Sequence, residues 1–179
     1  PFPTRRSSDL KVVLNPVAVT VTEEPLPWEG NGSEESPYLI KSVSDLEALR
    51  EKVNKDGFTF SDAYFRLDAD ITLPDGWKPI GATKNGKVNL ENGANLNAFS
   101  GILDGAGHTI TVPEGGLPLF GYVRNTRIRN LNIYGKKIAG YGLINNFEGV
   151  GLSGSAVEID NVTLKSGSST LKSGLIGAN

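Results

Sequence analysis

The chain has 179 residues, a formal net charge of -2, 22 Gly, and neither Cys nor Met. That length suits one domain with a sizeable core. The near-neutral balance excludes a basic field for nucleic acid or a polybasic membrane patch. The lack of Cys excludes a disulfide framework and a cysteine metal site. No apolar run approaches the ~20 residues a bilayer-spanning helix needs.

In chain order, residues 1–10, PFPTRRSSDL, resemble a translated adapter of short-read sequencing libraries. The chain begins at Pro1 and has no Met, so a scar at 1–10 and a missing natural N-terminus are expected. A signal peptide is therefore not observable. Residues 11–27 read as a linker or the tail of a preceding domain, with a strand or extended run at 12–22. Residues 28–179 read as an N-terminal cap and the first coils of a repeat array, cut short at the C-terminus.

Tyr38–Ile40 reads as a short strand after a loop rich in Pro, Gly and Glu. Residues 44–57 read as a helix, with Ser44 and Glu47 as a capping box. Leu46, Leu49 and Val53 form its apolar stripe, and Gly57 stops it. One helix beside so much strand pattern suggests a lid. Phe65, Leu67, Ala69, Ile71 and Leu73 alternate with Arg66, Asp68, Asp70 and Thr72, the pattern of one strand buried on one face. Residues 82–98, rich in Asn and Gly, read as an excursion. Short strands punctuated by Gly or Asn follow to the end.

The later strands repeat. Ile128-Arg-Asn130-Leu131-Asn-Ile133 matches Ile159-Asp-Asn161-Val162-Thr-Leu164, 159 minus 128 or 31 residues on. Gly142-Leu143-Ile144-Asn145 matches Gly174-Leu175-Ile176-Gly177, and Pro118-Leu119-Phe120-Gly121 is a looser earlier copy. Ile110-Thr-Val112 aligns with Leu131-Asn-Ile133. Motifs that persist across varying gaps imply stacked coils with loops at the corners. Leu143 should stack on Leu175 and Leu131 on Val162. Asn130 and Asn161 should form an amide ladder at equivalent turns. Gly174–Gly177 should end on an open sheet edge. The competing fold, an antiparallel β-sandwich, needs no matching motif between strands. The expected fold is an all-β, right-handed parallel β-helix with one N-terminal helix in its cap.

Trp28-Glu-Gly30-Asn-Gly32-Ser33, Ser36-Pro37-Tyr38-Leu39-Ile40, Asp45-Leu46, Trp77-Lys-Pro79-Ile80-Gly81 and Phe99-Ser-Gly101-Ile-Leu-Asp104-Gly105 occur in that order. With the Gly-Leu-Ile-Gly copies, they resemble bacterial surface β-helix proteins carrying the GLUG motif. Such repeats also occur in the non-catalytic N-terminal region of some IgA-cleaving metallopeptidases. The resemblance covers about residues 28–179 and departs at Asn145 and at the 82–98 insertion. It implies an extracellular β-helix and supplies no catalytic residues.

The chemistry-bearing residues are sparse. His108 is the lone imidazole, with no HExxH or paired-His spacing, and reads as a surface or corner residue. Asp68 and Asp70 share a polar face that could serve a glycosidase or lyase groove, but without a third acidic residue on neighbouring rungs a solvated face is the better reading. Trp28 and Trp77 read as packing between cap and first coil. Arg124, Arg127 and Arg129 read as a solvated corner. Asp68, Asp70, Tyr122 and Tyr134 are a candidate ligand face. No catalytic residue, cofactor or metal is expected.

The expected function is a non-catalytic surface module, an adhesive or structural scaffold or stalk, at the bacterial cell surface or outside it. The alternatives are the N-terminal part of a carbohydrate-active β-helix enzyme or of a surface metallopeptidase. The expected partners are a host glycan or a surface protein, without nucleic acid and without membrane insertion by this segment.

Overall fold

A computed structural model describes residues 25–82, 97–135, 138, 143–148 and 157–165. Within them lie nine strands and one helix, and every strand pair is parallel.

The chain enters through β1 (Tyr38–Ile40) and then α1 (Val43–Asn54). The helix starts earlier than the Ser44/Glu47 pattern suggests. Ser42, extended at φ -150, is the N-cap, and its Oγ accepts from the Asp45 N–H at 3.3 Å. Asp45 Oδ2 accepts from the Ser42 hydroxyl and the Lys41 N–H, both at 2.9 Å. The Ser42-x-x-Asp45 spacing prevails because starting at Val43 also packs Val43 against the core. The stripe of Leu46, Leu49 and Val53 is fully buried. Gly57, at φ 74, turns the chain so that the Phe58 N–H returns to the Lys52 carbonyl.

The run from Tyr64 to Leu73 is two strands rather than one: β2 (Tyr64–Leu67) and β3 (Ile71–Thr72). The alternation carries through the corner because both strands face one core, with Phe65, Leu67, Ile71 and Leu73 buried. Next come β4 (Ile102–Asp104), β5 (Thr109–Thr111), β6 (Phe120–Arg124), β7 (Thr126–Tyr134), β8 (Ile144–Glu148) and β9 (Val157–Lys165).

Three sets of strands stack in register. In the first, Phe65, Leu103, Ile128 and Ile159 align through β2, β4, β7 and β9. In the second, Ile71, Ile110, Ile133 and Leu164 align through β3, β5, β7 and β9. In the third, Ile80, Phe120 and Ile144 align, and so do Phe99 and Val123. β7 belongs to the first two sets because it bends at Asn130, whose φ is 52. β9 bends identically at Asn161, φ 49, so the nominal seven-stranded sheet is folded along that line.

The repeats are placed as follows. Leu131 pairs with Val162, and Phe120 with Ile144, as their motifs suggest. Leu119 and Leu143 are fully buried, with the Phe120 N–H donating to the Leu143 carbonyl. Ile110, however, pairs with Ile133 and not with Leu131. The chain takes five steps from Asp104 to Thr109 but three from Arg129 to Asn132, which shifts the register by two. Residues 1–24, the body of the 82–98 insertion, Gly142, the strand Gly174–Gly177 and the Leu143–Leu175 stack lie outside the described residues.

Among the described residues, the helix and the strands share one apolar core. Trp28 packs on Tyr38, Phe60 and Phe65 with ring centroids 5.5–5.8 Å apart, and its Nε1 donates to the Asp45 carbonyl. Trp77 is buried under the Arg50 guanidinium. Trp28 thus joins the helix to the first strands, as its motif suggests, while Trp77 lies against the helix within the same core.

Candidate functional surface

Strand side chains alternate between core and solvent, so parallel register also stacks the outward residues into columns. One column reads Arg66, Asp104, Arg129, Asp160, an alternation of charge. The next reads Tyr64, Ile102, Arg127, Glu158. Arg127 Nε donates to Glu158. Both partners are largely exposed, so this pair adds little stability but favours one register.

The best-organised group sits at the corner between the first two strand sets. Asp104 Oδ2 accepts from Arg129 Nε at 2.9 Å. Asp104 Oδ1 accepts from the Ala106 N–H at 2.8 Å and from Asn130 Nδ2 at 3.2 Å. Asn161 Nδ2 then donates to Asn130 Oδ1 at 2.9 Å. Carboxylate and amides therefore form one chain of hydrogen bonds across three layers. Burial works against the Asp104 charge, but the Ala106, Asn130 and Arg129 donors outweigh it and hold its pKa below the ordinary aspartate value. Gly105 is required here: a Cβ would lie 2.5 Å from the Asn130 carbonyl oxygen. An open groove of about 480 Å³ follows this corner, lined by Arg66, Asp104, Ala106, Gly107, Asn130 and Asn161.

The candidate ligand face does not form one site. Asp68 and Asp70 lie in the corner between β2 and β3, not on a strand face. Asp70 Oδ1 accepts from the Thr109 N–H at 2.8 Å and meets His108 Nδ1 at 3.2 Å. The Thr109 bond, then His108, lowers the Asp70 pKa. His108 is thus a corner residue, as its lone occurrence suggests. Tyr122 is buried, 4% exposed, as are its neighbours on both faces of β6, so it does not join an exposed ligand face. Tyr134 is exposed at the end of β7, in line with Thr72, Thr111 and Lys165.

Sequence reading missed Asp104 and Asn54. Asn54 Oδ1 accepts from the Gly81 and Ala82 N–H groups at 2.7 and 3.0 Å, and its Nδ2 donates to the Pro79 carbonyl. Asn97 Nδ2 donates to the Asn54 carbonyl. The last residue of α1 thereby clamps both ends of the 82–98 insertion. Only the Asp-Gly dipeptide at 104–105 hinted at the corner; nothing in sequence hinted at the clamp.

Among the described residues, no group of three His, Cys, Asp or Glu could hold a metal ion, and no helix is long and apolar enough to cross a membrane.

The class these features define is a mostly-strand chain of parallel, in-register strands with one helix. Halomucin of Haloquadratum walsbyi is 34% identical over 151 residues, which is 79% of this chain and 2% of halomucin. A Gly-rich membrane protein of Evansella cellulosilytica is 31% identical over 123 residues, 61% of this chain and 12% of that protein. The chain thus spans a small fraction of the curated relatives it matches. No family model matches, and no solved structure matches significantly.

Proposed function

We propose that this chain is part of an exported, non-catalytic surface module. Its fold is a right-handed parallel β-helix of the GLUG-motif kind, and its role is that of a scaffold, stalk or adhesive surface. The observation that carries the reading is the register of β7 on β9, which aligns eight residue pairs and joins the corner amides of Asn130 and Asn161. Layers that repeat both core and corner can be added without a new fold, which suits a long spacer. Right-handed connections are the rule for parallel strands.

The outward chemistry supports a passive role. Asp104 is engaged by three donors, Glu158 by Arg127, and Asp70 by Thr109 and His108. Asp104 and Asp70, whose pKa such donors lower, are poor general acids. The relatives support the surface reading, one through a mucin name and the other as a membrane protein. A host glycan or a surface protein is the partner class such a face would meet.

An antibody against the folded chain, applied to intact producing cells and to lysates, tests this reading. Labelling of intact cells is expected. Labelling only after lysis would contradict the surface assignment, and hydrolysis of a polysaccharide or peptide panel by the purified chain would contradict the non-catalytic one.

A further inference from the structure

We propose that the groove beside the Asn130 corner binds a linear acidic polysaccharide, with the Arg66 guanidinium taking one of its sugar carboxylates. The choice of a saccharide rests on the surface reading proposed for the chain.

The first observation is a cation left over. Arg66, Asp104 and Arg129 stand side by side on β2, β4 and β7. Asp104 lies between two guanidiniums but bonds to one of them. Its Oδ2 takes Arg129, and its Oδ1 takes the Ala106 N–H and Asn130. The Arg66 side chain is exposed and has no ion pair or side-chain hydrogen bond among the described residues. A guanidinium presents a planar fork of donors that matches a carboxylate.

The second observation is the shape and lining of the groove. Arg66, Asp104, Asn130 and Asn161 line it from four strands stacked in register. Neighbouring strands lie about 4.8 Å apart, so the groove runs roughly 14 Å across them. The Ala106 methyl is its one apolar side chain among the described residues. An acyl chain or an apolar peptide side chain gains little there, whereas a hydroxyl-rich linear chain meets carboxylate, amide and guanidinium groups. The cation is also sparse. With Asp104 in the wall and Asp160 in register beside Arg129, one carboxylate per sugar suits the groove better than dense sulfation.

The third observation is Ala106 itself, left-handed at φ 50. That conformation strains alanine, and β7 and β9 place asparagine at their own left-handed bends. An asparagine at 106 would relieve the strain but extend an amide from the groove wall. Alanine keeps the groove open, and beside it a Cβ on Gly107 would meet only open space.

The test uses the full 179-residue chain. Hexasaccharides of galacturonate, mannuronate and hyaluronan are titrated in and followed by calorimetry. The expected result is saturable binding of at least one, lost when its carboxylates are methyl-esterified. Arg66→Gln should weaken that binding about tenfold. Lys55→Gln, which removes the same charge beyond the end of α1, should leave it unchanged. Ala106→Asn should keep or raise the melting midpoint and still weaken binding. Four results would each overturn the proposal. They are no binding of any of the three, equal binding of the methyl ester, equal losses from Lys55→Gln and Arg66→Gln, and undiminished binding by Ala106→Asn. Antibody labelling of intact cells reads the surface assignment separately. Uronate binding by a chain found only in lysates would overturn that assignment and leave the groove standing, and labelled cells with no uronate binding would do the reverse.

Discussion

Asn130 and Asn161 show how much one residue can decide in this molecule. A left-handed backbone costs most L-residues about 1 kcal/mol, and asparagine is among the few that tolerate it. Both asparagines use that tolerance to bend a strand, and both spend their amides on the neighbouring layer. Asn130→Ala should therefore destabilise by about 1–3 kcal/mol, and Asn130→Gly by less, because glycine keeps the bend and loses only the ladder. Chemical denaturation of the two variants would separate those contributions. Asp104 adds a pH signature. Its folded pKa lies below the ordinary value, so its stabilisation is fully present above about pH 4 and is lost as pH falls through the folded value. Asp104→Asn should cost roughly 1 kcal/mol near neutrality, and the deficit should shrink on acidification. A deficit that does not change with pH would mean that the Asp104 charge contributes nothing.

Among elements, α1 is anchored at both ends by residues whose roles differ in legibility. Its apolar stripe was readable because helical spacing is local. Its start was not, because Ser42 and Ser44 both have an acidic residue three positions on, and the choice depends on Val43 reaching the core. Ser42→Ala should lower the melting midpoint, at a cost of about 1 kcal/mol, whereas Ser44→Ala should stay within about 0.5 kcal/mol. At the other end, Asn54→Ala strips acceptors from two backbone N–H groups and a donor from Pro79, and should cost about 1–3 kcal/mol. That clamp joins residues 25 or more positions apart, so no local pattern announces it. The split of the Tyr64–Leu73 run was hidden for the opposite reason. The alternation is genuine on both sides of the corner, and only the three-dimensional course separates β2 from β3.

For the whole molecule, stacking in register explains which sequence signals were reliable. A layer must offer the same apolar position above and below, so Ile128/Ile159 and Leu131/Val162 recur as visible motifs. Corners are free to vary in length, so the pairing of Ile110 with Ile133 was not legible from motif spacing. The candidate ligand face comes apart on the same ground: Asp68 and Asp70 share the corner between β2 and β3, whereas Tyr122 lies buried in β6 and Tyr134 at the end of β7. One shared core also implies graded sensitivity along the stack. Leu131→Ala, in a covered layer, should cost about 2–5 kcal/mol, and Val162→Ala, in β9, distinctly less.

The central claim is that β7 and β9 run parallel with Ile128 beside Ile159 and Leu131 beside Val162. Interstrand nuclear Overhauser contacts measured on the isotope-labelled chain test it most directly. The expected result is a series of Hα-to-amide contacts between those strands, methyl contacts from Leu131 to Val162, and no close Hα–Hα pairs. Strong Hα–Hα contacts between β7 and β9 would mean an antiparallel arrangement and would contradict the layered fold.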